Sequence, residues 1–117
     1  MKLFDSELKV LEILWQDGVS TAKKMAEILR EQVGWSKTTS YTVIKKCVDK
    51  GVVSREDPGF VCRPIITKQQ AQDMETTELI NKMYGGMPDQ LVASILWHKS
   101  FSPEEIKRLK ELIQKLS

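Results

Sequence analysis

The chain has 117 residues, 18 Lys and Arg against 16 Asp and Glu, and 41% hydrophobic content. This fits one domain, or one small domain with an accessory segment, and a globular rather than disordered chain. No apolar run approaches the roughly 20 residues of a membrane helix, the N-terminus lacks a secretory stretch, and two cysteines cannot make a disulfide scaffold, so a cytoplasmic protein without membrane insertion is expected.

The spacing of Leu8, Leu11, Leu14 and Trp15 predicts a first helix over Glu7 to Gln16, with Ser6 as its cap and Asp17-Gly18 as its end. A second helix is expected from Thr21 to Gln32, capped by Ser20, with Ala22, Met25, Ala26 and Leu29 facing inward. The third runs from Lys37 to Lys50 and stops at Gly51. At about 100° per residue, Ser40, Ile44 and Cys47 share one side of it. Thr38, Tyr41, Thr42, Lys45 and Asp49 share the opposite side. The periodicity then shortens. Val52 to Glu56 and Phe60 to Arg63 are two β-prone runs around Asp57-Pro58-Gly59, which predicts a hairpin. Pro64 makes the second strand an edge or ends it.

Helix resumes from Gln69 to Tyr84, broken by Gly85-Gly86, and from Asp89 to His98. Ser102-Pro103-Glu104-Glu105 is the start signal of a last helix. The expected hinge is Pro64 to Gln70, which divides the chain into residues 1–70 and 71–117. The apolar stripes Leu91-Val92-Ile95-Leu96 and Ile106-Leu109-Ile113-Leu116 belong to the second part. Short helices in about 40 residues rarely bury their own stripes, so these eight residues are expected to pair two copies of the chain about a two-fold axis.

Several chemistries are disfavoured. His98 is the sole histidine, and there is neither a Gly-rich phosphate loop nor a nucleophile elbow, which points away from an enzyme. Cys47 and Cys62 have no histidines to help them hold a metal and read as small core residues. No cofactor is expected. Trp15 reads as core and Trp35 as a packing anchor, and His98 is placed to satisfy carbonyls at a helix end. The charge excess lies wholly in residues 1–73, which hold 12 Lys and Arg against 10 Asp and Glu.

Three helices followed by a hairpin describe a winged helix-turn-helix, mainly α with a small β-hairpin, here followed by a helical dimerisation region. A major groove about 12 Å wide admits one helix. The outer side of the third helix offers hydroxyls for bases and cations for phosphates. The expected DNA contacts are therefore Thr38, Thr39, Tyr41, Thr42, Lys45 and Lys46, with Arg55 and Arg63 on the hairpin holding the adjacent backbone. A winged helix used as a protein-interaction module would instead need an acidic or apolar outer face. A ligand-gated repressor would need a pocket that nothing in the sequence marks.

The chain resembles the penicillinase-repressor and methicillin-resistance-regulator family over nearly its whole length. The resemblance rests on Val10-Leu11-Glu12-Ile13-Leu14-Trp15, Trp35-Ser36 before Thr39-Ser40-Tyr41-Thr42-Val43, Asp49-Lys50-Gly51, Phe60-Val61-Cys62-Arg63-Pro64, Tyr84-Gly85-Gly86-Met87 and Ser102-Pro103-Glu104-Glu105-Ile106. It implies a homodimeric repressor on double-stranded, inverted-repeat operator DNA. It also implies relief of repression by a membrane-anchored sensor protease, cutting at the matching step Ser94-Ile95. The chain departs from the family pattern at Thr38 and Tyr41, where a Lys or Arg is frequent, at Cys62 in place of an aromatic, and at Ser94-Ile95 in place of Asn-Phe. No cysteine follows Cys62, unlike in the family's copper-responsive branch.

Overall fold

The computed structural model describes residues 2–116. Helix α1 spans Asp5–Asp17 and starts earlier than the sequence suggested, because the cap is built from Glu7 rather than Ser6. The Phe4 N–H donates to Glu7 Oε1 at 2.8 Å, which leaves Ser6 inside the first turn. Glu7 is buried and pairs with Lys50, 2.6 Å from Nζ to Oε1. The same ammonium donates to the Lys2 carbonyl at 2.7 Å and lies 4.4 Å from the Phe4 ring centroid. Glu7 and Lys50 thus tie the start of α1 to the end of the third helix.

A two-residue strand β1, Ser20–Thr21, follows, then α2, Ala22–Val33. The cap of α2 is Thr21, whose Oγ1 accepts the Lys24 N–H at 3.1 Å. Ser20, expected as the cap, instead pairs with Cys62 in the sheet. Gly34 ends α2 at φ 73°, a left-handed position that suits glycine. Helix α3 is Lys37–Asp49, capped by Ser36, whose Oγ accepts the Thr39 N–H at 3.1 Å.

Strands β2, Val53–Glu56, and β3, Val61–Pro64, form the hairpin across a cis Asp57-Pro58 bond. The sheet is three-stranded and antiparallel in the order β1-β3-β2, so β3 is central and not an edge. Proline is tolerated because it stands at the strand's last position, opposite Val53. The core joins Val10, Leu11, Ile13 and Leu14 of α1, Met25 and Leu29 of α2, Val43, Ile44 and Cys47 of α3, and Val52, Val53 and Cys62 of the wing. Each large aliphatic chain buried this way contributes about 1.5–3 kcal/mol. Val10 and Ile13 lie outside the single stripe read from the sequence, because α1 packs against both α3 and β3 and buries a wider face. Trp15 flanks that core, half-buried, and its indole donates to the Ile66 carbonyl at 2.9 Å.

The segment expected to be a hinge is pinned. The Ile65 N–H donates to the Val52 carbonyl at 2.8 Å, and Trp15 holds Ile66. Thr67 and Gln70 cap each other: Gln70 N–H donates to Thr67 Oγ1 at 3.0 Å, and Thr67 N–H to Gln70 Oε1 at 2.9 Å. Helix α4 is Lys68–Met83. The chain divides into two compact units inside this helix, Met1–Thr76 and Thr77–Ser117. The division falls after the 70/71 boundary because Ala71 is buried in the first unit's core and Glu75 accepts the Leu3 N–H at 3.2 Å.

The second unit continues with α5, Pro88–His98, and α6, Pro103–Leu116. A reciprocal capping box starts α6: Ser102 N–H donates to Glu105 Oε1 at 2.9 Å and Glu105 N–H to Ser102 Oγ at 3.1 Å. Hydrogen bonding to the backbone N–H and the side chain of Ser102 holds the Glu105 carboxyl below its ordinary range. His98 Nδ1 lies 3.0 Å from the Ser94 carbonyl in the last turn of α5. Among the described residues, no helix is long and apolar enough to cross a membrane.

Candidate nucleic-acid interface

Helix α3 has the two faces that its sequence requires. Ser40, Val43, Ile44 and Cys47 are buried, while Thr38, Thr39, Thr42, Lys45 and Lys46 are exposed and Tyr41 is half-buried. Lys37, Thr38, Tyr41, Thr42 and Lys45 line one open groove along the helix. The Thr42 hydroxyl donates to the Thr38 carbonyl at 2.9 Å. Its proton is therefore committed, and what it shows outward is a methyl group and an acceptor oxygen. Thr39 Oγ1 accepts the Ser36 hydroxyl at 3.0 Å on the flank of the helix. Lys46 lies apart from the groove, in a second depression with Phe4, Ser6, Asp49 and Lys50.

The wing is joined to α3 by a ladder of rings and cations. The Arg55 guanidinium carbon lies 3.7 Å from the Phe60 centroid. Phe60 meets Tyr41 edge to face, 5.9 Å between centroids at 80°. Lys37 Nζ lies 5.8 Å from the Tyr41 centroid. The Ala22 N–H donates to the Phe60 carbonyl at 3.0 Å, and Phe60 holds a φ of 50°. That backbone region costs a side-chain-bearing residue about 1 kcal/mol or more, so these contacts over-determine the position.

Strand register separates the two wing arginines. Arg55 stands opposite Cys62 and Arg63 opposite Ser54, and neighbouring residues of a strand face opposite sides of a sheet. Arg55 thus shares the side of Phe60, whereas Arg63 is on the other. Each is also paired within the wing, Arg55 Nε to Asp57 Oδ2 at 3.1 Å and Arg63 Nε to Glu56 Oε1 at 3.3 Å. Sequence reasoning placed the two together and missed both Phe60 and Lys37. The Phe60–Tyr41 pair is invisible to helical or strand periodicity because it spans two elements.

Between α2 and α3 lies a groove of about 480 Å³, lined by Lys23, Glu27, Arg30, Trp35, Ser36 and Lys37. Trp35 is half-buried against the core, an anchor as its place before α3 suggested, and it also walls this groove. Nothing in the sequence pattern singled out Lys23 or Arg30, which stand on the polar side of an ordinary amphipathic helix.

Both cysteines are free and buried. Burial, reinforced by the Glu7 charge, pushes the Cys47 thiol up to about 12, and burial pushes Cys62 to about 11. Both are neutral thiols at physiological pH and fill core volume. Among the described residues, no cluster of His, Cys, Asp and Glu could hold a metal ion.

In the second unit no residue of α5 or α6 is buried. Val92, Ile95, Leu96, Ile106, Ile113 and Leu116 are exposed, and Leu91 and Leu109 half-buried. Trp97 is 84% exposed. Ser94 is half-buried within α5, 3.3 Å from the Tyr84 hydroxyl to its Oγ.

The family model described as penicillinase repressor matches residues 3–115. The penicillinase repressor of Bacillus licheniformis is 24% identical over 115 residues, covering 97% of this chain and 90% of that protein. The methicillin resistance regulatory protein MecI of Staphylococcus aureus strain N315 is 24% identical over 116 residues, 97% of this chain and 94% of MecI. The solution structure of the DNA-binding domain of the repressor BlaI superposes with a TM-score of 0.54 at 25% identity, covering 57% of this chain and 84% of that one.

Proposed function

The chain belongs to the penicillinase repressor family, whose members are transcriptional repressors and not enzymes, and from that premise we propose that it represses transcription in the cytoplasm as a homodimer on an inverted-repeat operator. The observation that carries this reading is α3 itself. Its outer side exposes Thr38, Thr42 and Lys45 along one groove with the half-buried Tyr41, backed by a buried apolar side and flanked by a seated wing. In this reading Thr38, Thr39, Tyr41, Thr42, Lys45 and Lys46 meet the DNA, with Arg55 and Arg63 beside them on the wing. Short polar groups and a methyl read base edges, and lysines neutralise phosphates.

Pairing is assigned to Leu91, Val92, Ile95, Leu96, Ile106, Leu109, Ile113 and Leu116. They form apolar surface that one copy leaves uncovered, and two-fold symmetry would cover it with the same surface of a second copy. Derepression is assigned to a sensor protease cutting at Ser94-Ile95, which would separate the paired helices from the DNA-binding unit. Because Ser94 lies within a helix, the segment must open locally before a protease accepts it as an extended strand. The test is a gel shift of a fragment from upstream of the protein's own gene over a salt series. Retarded complexes that weaken with salt and resist unrelated competitor DNA support the reading; no discrimination from unrelated DNA refutes it.

A further inference from the structure

We infer that the groove between α2 and α3 seats the DNA phosphodiester backbone beside each half-site, with Lys23, Arg30 and Lys37 as its phosphate ligands. The inference rests on the operator-binding reading and adds an anchor that the recognition face and the wing do not supply. Three exposed cationic residues line this groove, against the single carboxylate of Glu27. Among the described residues, none of the three is in a salt bridge. The wing differs. Arg55 already has Asp57 beside it and Arg63 has Glu56, so each arginine's charge is offset in part by a neighbouring carboxylate.

Position agrees with charge. Lys37 lines both this groove and the one that holds Thr38, Tyr41, Thr42 and Lys45. The two grooves are thus neighbours at the start of α3, and in this inference the strand whose bases face Thr38 and Thr42 runs on past Lys37 into the α2–α3 groove. The start of α3 also lines the groove through Ser36 and Lys37, and the helix N-terminus adds partial positive charge there. Arg30 offers a planar fork for two phosphate oxygens, whereas Lys23 and Lys37 act as point charges on flexible stems.

The experiment uses the full chain and a duplex enriched from a random-sequence pool, with affinity measured across a salt series. Each substitution removes one phosphate contact per protomer and two per dimer on the operator, so Lys23→Gln, Arg30→Gln and Lys37→Gln should each make the slope of log affinity against log salt shallower by about 1.8, and the triple variant by about 5.4. Arg55→Gln and Arg63→Gln should each change it by less than half of the single-variant amount. Lys9→Gln, on the exposed side of α1, should leave it unchanged. All substituted groups are exposed, so circular dichroism should match the parent. A triple variant with the parent's slope, or a larger loss from the wing arginines, would overturn the inference while leaving operator binding intact. A parent chain that enriches no sequence would overturn both.

Discussion

The guanidinium carbon of Arg55 lies 3.7 Å from the centroid of the Phe60 ring, and the other side of that contact chain is Tyr41 on α3. The wing is therefore seated on α3 through a side chain rather than tethered only by its turn. Phe60→Ala removes both contacts and should cost about 2 kcal/mol of stability, below the range for a fully buried Phe because this ring is half-buried. Phe60→Tyr keeps the ring and should stay within about 0.5 kcal/mol of the parent. Urea midpoints check both. Operator affinity should fall for the alanine variant even at temperatures where its helix content matches the parent.

Thr42 makes a narrower prediction. Because its hydroxyl proton is held by the Thr38 carbonyl, only a donor such as the exocyclic amine of adenine or cytosine suits its oxygen, and thymine suits its methyl. Thr42→Ser should retain the amine preference. Thr42→Val keeps the shape, loses the acceptor, and should relax discrimination at one base pair per half-site by about 1–3 kcal/mol. Affinity for random DNA should be unchanged in both. Competition binding with single-base operator variants measures this.

The cysteines set an alkaline limit. The Cys47 thiol is raised from 9.0 to about 12, so the folded chain holds that proton where the unfolded chain releases it. Its stabilising effect is complete below about pH 9 and is lost as pH rises through about 12. Cys62, raised to about 11, acts in the same direction. Unfolding free energy should be flat in this respect up to pH 9 and fall above it. Cys47→Ala should start less stable at pH 7, by about 1 kcal/mol from the small void, and show a shallower alkaline decline in urea titrations.

Pairing and cleavage are tested on two proteins, a point variant and a fragment. If the stripes pair two copies, the parent chain should sediment as a dimer at micromolar concentration, and Ile113→Asp, which places a charge on the exposed stripe of α6, should sediment as a monomer. Helicity of the first unit should be retained. A fragment of residues 1–94 should be folded, because the first unit holds its own core. It should also bind the full operator far more weakly, since each half-site contact loses the effective concentration supplied by its partner. Operator binding at parental strength by that fragment would remove cleavage as the switch.

What could be read from the sequence tracks the range of the interactions. The faces of α3 follow from one residue every 100°, so Ser40, Ile44 and Cys47 inside and Thr38, Thr42 and Lys45 outside were legible. The Ser102–Glu105 capping box was legible because its bonds join residues three apart. Strand β1 was not, since two residues carry no alternation and its partner Cys62 lies far along the chain. The cap of α1 was misplaced for a related reason: Glu7 is fixed by Lys50, from a different helix. The wing arginines were recognised as cations, but their opposite facing emerges only from strand register, and their carboxylate partners Asp57 and Glu56 only from the folded hairpin.

The most direct test of the account is selection of duplexes from a random-sequence pool by the full-length chain, followed by sequencing. The account predicts an inverted repeat whose half-sites lie about one helical turn, or a multiple of it, apart. The preferred bases should shift for Thr42→Val or Tyr41→Ala but not for Lys82→Gln in the second unit. A pool that stays random, or an enriched sequence indifferent to every substitution on the outer side of α3, would contradict it.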